Sequence, residues 1–185
     1  MENVLKIEPE KRRVRRLSNE EANRLTKDCL QKALIFLMGK KSFDNITITE
    51  LVKSSGVSRT SFYRNYKSKE DILADISRQF AQLIANIMKK APYENDRYQW
   101  YYDIFRNVQI HQDTVRLLIQ ANLRQNTSFH IIPVMQELYE QPSSENHYKI
   151  LAKLGALDAI VYNWFIKGRK ESIEDMAQLC VKISL

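Results

Sequence analysis

The chain has 185 residues, a length that suits one or two domains and excludes a large multidomain architecture. With 44% hydrophobic and 28% charged residues it has the balance of a folded globular protein, and it contains no unbroken apolar stretch of the roughly 18 residues that a membrane span needs. The net charge of +7 is concentrated: residues 1–70 hold 16 Lys and Arg against 9 Asp and Glu, whereas residues 71–185 hold 13 of each, so a polyanion-facing module joined to a neutral one is expected.

Lys11, Arg12, Arg13, Arg15 and Arg16 precede the first helical pattern. This is the placement either of a flexible basic arm, residues 1–17, that reaches phosphates or a minor groove, or of a solvated leader. Ser18 and Glu21 have capping-box spacing, and Ala22, Leu25, Cys29, Ala33 and Phe36 then recur at helical intervals until Gly39. A second box, Thr47 with Glu50, opens a short helix to about Ser55. Gly56 supplies a tight turn, and Ser58 caps a third short helix carrying Arg59 to Arg64. Helix, glycine turn and helix make the helix-turn-helix plan. Ser68 with Asp71 starts a long helix whose stripe is Ile72, Ile76, Phe80, Leu83 and Ile87, ending before Pro92. Beyond a connector at 91–96, helices are predicted at about 97–110, 113–123, 128–140, 145–167 and, from a Ser172–Asp175 cap, 172–183. Gly155 and Ala159 in the penultimate helix suit close approach of another helix. The expected architecture is all-α, about nine helices: a three-helix helix-turn-helix domain over 18–67, then a helical ligand-binding and dimerisation domain over 68–185.

The remaining chemistry is sparse. Four glycines, at 39, 56, 155 and 168, build no phosphate-cradling loop, and His111, His130 and His147 have no zinc-site spacing. No nucleophile motif is present, so no catalytic residue, metal or cofactor is expected and an enzyme is disfavoured. Cys29 and Cys180 lack the spacing of a metal or redox pair and read as reduced packing residues. The first residues carry too short an apolar stretch for an export signal, which makes the cytoplasm the expected compartment and leaves no membrane partner.

The stretch from Ile46 to Leu73, ITITELVKSSGVSRTSFYRNYKSKEDIL, resembles the signature of TetR-type bacterial transcriptional regulators. Thr47, Gly56, Val57, Ser58, Tyr63, Ser68, Lys69 and Glu70 match in one register. Trp164 to Gly168 followed by SIEDMA resembles a frequent C-terminal pattern of the same family. Val52, Thr60 and Asn65 depart from the pattern, the last two at places where operator choice is set.

The resemblance implies a recognition helix in the major groove, with Arg59, Thr60 and Arg64 toward base edges and Thr47, Ser58, Tyr63, Asn65 and Lys69 toward phosphates. It also implies an inducer pocket, for which Trp100, Tyr101, Tyr102, Phe105, Phe129, Tyr139, Tyr148 and Tyr162 are the candidates, although aromatic residues at helical spacing are also ordinary core. Balanced charge in this half points to no strongly charged ligand. One head reads a half-site, so a homodimer is expected, built by the last two helices through Leu154, Leu157, Ile160, Val161, Trp164 and Leu179. The expected function is a homodimeric repressor released from a palindromic double-stranded DNA operator by a small-molecule effector. The alternative is an adaptor of the same fold controlled by a protein partner.

Overall fold

The structure, a computed structural model, describes residues 19–90, 96–125 and 144–183, which form eight α-helices and a short 3-10 turn. In chain order these are α1 (Asn19–Met38), the 3-10 turn (Phe43–Asn45), α2 (Ile48–Ser55), α3 (Arg59–Asn65), α4 (Lys69–Lys90), α5 (Arg97–Ile110), α6 (Gln112–Gln125), α7 (Ser144–Ile166) and α8 (Ile173–Lys182). The all-helical architecture agrees with the sequence reading. The basic arm, the helix expected over 128–140, and with it Phe129 and Tyr139, lie outside the described residues.

Two hydrophobic clusters organise the molecule. The first joins Leu30 and Leu34 of α1, Phe43, Ile46, Leu51 of α2, Phe62 of α3, and Ile72 and Ile76 of α4. The second joins Phe80, Ile84 and Met88 of α4 to Trp100, Tyr101, Ile104, Phe105 and Val108 of α5, with Leu154, Leu157 and Trp164 of α7 and Met176, Ala177 and Cys180 of α8. The expected stripe of α4 is thus divided between them, its first turns in one core and the remainder in the other. Helix α6 also touches both, through Leu117 in the first and Val115 in the second. Burial pushes the Cys180 thiol up to about 11, in keeping with a reduced packing residue.

In α1 the buried side is Leu30, Ala33, Leu34 and Met38, whereas Leu25 and Phe36, expected on the inner stripe, are 53% and 55% exposed. The run ALIFLM is apolar all round, so periodicity within it selects no single face; packing against α2 and α4 does.

The expected dimer seam is corrected in part. Leu154, Leu157 and Trp164 are buried within one chain, and Trp164 meets the Phe105 ring edge-on at 5.4 Å while its indole N–H donates to the Glu171 carbonyl at 3.1 Å. A side chain enclosed by its own subunit cannot also face a second copy. Ile160 and Val161 are half-buried beside the same cluster, and Leu179 is exposed. Tyr148, a pocket candidate, is 68% exposed on the first turns of α7 and so does not line the interior. Trp100, Tyr101 and Phe105 are buried, and Tyr102 and Tyr162 half-buried.

Candidate nucleic-acid interface

Helix α2 begins at a full capping box. Thr47, extended at φ −98° and ψ 154°, accepts from the Glu50 N–H at 3.2 Å, while the Thr47 N–H donates back to the Glu50 carboxylate at 2.9 Å. The Thr47 hydroxyl also donates to that carboxylate, and Lys41 donates to its other oxygen. The Lys41 hydrogen bond foremost, then those from Thr47, hold the Glu50 carboxyl well below its ordinary value, at about 2.

The helix ends at Gly56, whose φ of 69° is left-handed and favours a residue without Cβ. Two residues later Ser58 caps α3 by accepting from the Ser61 N–H at 3.1 Å, and its hydroxyl donates to the Ser61 hydroxyl at 2.9 Å. Seven residues make α3, and their two sides differ. Phe62 is fully buried against the first core, while Arg59, Thr60, Tyr63 and Arg64 are exposed. One amide proton of Asn65 donates to the Ser61 carbonyl at 2.9 Å.

Phe62 and Tyr66 are both buried in the first core. The sequence reading does not anticipate the polar contacts of Tyr66. Its hydroxyl donates to the Asp75 carboxylate of α4 at 2.7 Å, and Gln31 of α1 donates to both, at 3.2 and 3.3 Å. Lys27 and Arg78 flank Asp75 at 3.6 and 3.8 Å. Burial, reinforced by the Asp75 hydrogen bond, pushes the Tyr66 phenol above its ordinary range. Three helices are thereby tied at the C-terminal end of α3. No local signal in the sequence pairs Gln31, Tyr66 and Asp75, which lie 9 to 44 positions apart.

Lys69 departs most from expectation. Its ammonium donates to the backbone carbonyls of Phe43, Asp44 and Ile46. Among the described residues, Lys27, Lys32, Lys41, Arg78 and Arg116 stand in ion pairs, whereas Arg59, Arg64, Lys53 and Lys67 of the head are exposed and take part in none of these pairs. No group of three or more His, Cys, Asp or Glu able to hold a metal occurs among the described residues, and no helix there is long and apolar enough to cross a membrane.

This geometry matches known proteins. The family described as bacterial regulatory proteins, tetR family, matches residues 32–76, from the middle of α1 to the last first-core residue of α4. The uncharacterized HTH-type transcriptional regulator YerO of Bacillus subtilis (strain 168) is 31% identical over 122 residues, 60% of this chain and 38% of that protein. A second regulator of that organism, the uncharacterized HTH-type YxbF, is 33% identical over 64 residues, 34% of this chain and 17% of its own. The matched stretches therefore span well under half the length of these relatives. Among solved structures, a TetR transcriptional regulator from Rhodococcus sp. RHA1 shares the fold with a TM-score of 0.59 at 17% identity, covering 85% of this chain and 92% of the other. One from Streptococcus agalactiae 2603V does so with a TM-score of 0.56 at 19% identity, covering 89% and 96%. The helix-turn-helix head, residues 32–76, thus matches the tetR family of bacterial regulatory proteins, and the all-helical body that carries it shares the fold of the solved TetR transcriptional regulators.

Proposed function

We propose that the protein is a sequence-specific DNA-binding transcriptional regulator, working as a homodimeric repressor that a small-molecule effector releases from a palindromic operator. The observation that carries this reading is the two-sidedness of α3: Phe62 anchors one side, and Arg59, Thr60, Tyr63 and Arg64 stand together on the other. In this reading Arg59, Thr60 and Arg64 meet base edges, where an arginine gives a bidentate pair to guanine. Ser58, Tyr63 and Asn65 meet phosphates. The N–H and hydroxyl of Thr47 both donate to Glu50, so a phosphate at that end of α2 would meet the first-turn amides beyond it.

The dimer is assigned to the outward side of α7 and α8. Ala152, Gly155 and Ala159 are exposed there, nothing lies within 4 Å of a Cβ built at Gly155, and Ile166, Leu179 and Ile183 add exposed apolar surface. Small residues at this spacing let a second pair of helices approach closely, closing a four-helix bundle. The effector is assigned to the interior around Trp100, Tyr101 and Phe105, the buried members of the expected aromatic set.

Footprinting of the purified protein on the DNA flanking its own gene tests the reading, with a protected palindrome as the expected result. Protection of no discrete site at concentrations that coat random DNA would refute it. On that site Arg59→Ala should lose about 1–3 kcal/mol of discrimination at particular base positions. Binding to operator variants at fixed salt measures this, and an equal loss on every sequence would remove Arg59 from base reading.

A further inference from the structure

Lys69 occupies the first position of α4, where the positive end of the helix dipole opposes a cation, yet its ammonium is firmly held. Nζ donates to the carbonyl oxygens of Phe43 at 2.8 Å, Asp44 at 2.9 Å and Ile46 at 3.0 Å, and stands 4.8 Å from the centre of the Phe43 ring. An ammonium has three donors and no acceptor, so these carbonyls engage all of its protons. Charge-assisted bonds of this kind are about twice as strong as neutral ones, and the ring face adds a cation–π contact. A phosphate reaching this ammonium would have to displace one of these partners.

The carbonyls belong to the 3-10 turn and to Ile46, immediately before Thr47, the cap of α2. Lys69 itself follows α3 by only a few residues. The side chain therefore ties the entry to α2 to the exit from α3, the two ends of the helix-turn-helix, across 23 to 26 residues of sequence. Resting on the reading of α3 as the DNA-reading helix, we propose that Lys69 is a positioning residue of the DNA interface and not one of its phosphate contacts. By clamping residues 43–46 it sets the relation between the α2 cap and α3, and so the shape the head presents to the groove.

Lys69→Met keeps the length and apolar stem of the side chain and removes all three donors. Operator affinity is measured for wild type and variant across a salt series, well below both unfolding transitions, with near-ultraviolet circular dichroism confirming that each is folded. The expected result is an affinity about tenfold weaker on the operator, from one lost set of half-buried donors, with an unchanged slope of log affinity against log salt. A slope shallower by about 0.9, the signature of one lost phosphate contact, overturns the proposal. So does unchanged affinity with a lowered Tm, which would make Lys69 structural only. On wild type, the 15N ammonium resonance of Lys69 should persist, slowly exchanging and unshifted, when operator is added. Its transfer to a phosphate overturns the proposal even if Lys69→Met fails to fold. Failure of the underlying reading is distinct, because wild type itself would then protect no operator.

Discussion

Arg169 has a φ of 52°, the left-handed region that a residue with a Cβ rarely enters, directly after Gly168 at φ 81°. The conformation lets the Arg169 N–H donate to the Trp164 carbonyl at 2.8 Å and the Gly168 N–H to the Phe165 carbonyl at 3.1 Å, satisfying the end of α7. The guanidinium then lies 5.0 Å from the centre of the Phe165 ring. Arg169→Gly and Arg169→Ala both remove the ring contact, but only alanine keeps the strained Cβ. The glycine variant should therefore be the more stable of the two by about 1–2 kcal/mol, as read by urea unfolding. Equal stabilities would mean that the surrounding chain absorbs the strain.

At the level of the element, α2 owes its start to Glu50, whose carboxylate is held by Lys41 and by both donors of Thr47. The folded value, about 2, lies below the ordinary 4.5, so the ionised form favours the folded chain. That contribution is complete above about pH 4.5 and is lost as the pH falls toward 2. The stability gap between wild type and Glu50→Gln should accordingly be open at neutral pH and close over this window, and more weakly in high salt because the site is solvent-accessible. Chemical unfolding at a series of pH values measures the gap; one that stays constant with pH would show that the charge of Glu50 is not the source.

Taken as a whole, the molecule separates two positions that lie close together on α7. Leu157 points into the core with Phe105 and Trp164, whereas Ala159 is exposed beside Gly155. A carboxylate at Leu157 leaves an unpaired charge in an apolar interior, so Leu157→Glu should unfold the body of the protein. Ala159→Arg should leave helical content intact, reduce the dimer to monomer and abolish operator binding, since a single head reads only a half-site. Light scattering and circular dichroism separate these outcomes. A dimeric, DNA-binding Ala159→Arg protein would place the interface elsewhere.

Local chemistry decided much in advance. The caps at Thr47, Ser58, Ser68 and Ser172 and the glycine turn at Gly56 depend on residues three or four apart, and each predicted a helix boundary that the structure keeps. The all-helical class, the helix-turn-helix and the exposed face of α3 follow from them. Which side of α1 or α7 is buried was decided only by tertiary packing, because both helices carry apolar residues over more than one face and periodicity alone then selects none. The engagement of Lys69 by three carbonyls, and of Tyr66 by Asp75 and Gln31, joins residues 9 to 35 positions apart. A lysine at a helix start reads from sequence as a free charge; only the folded chain brings the 3-10 turn beneath it and turns that charge inward.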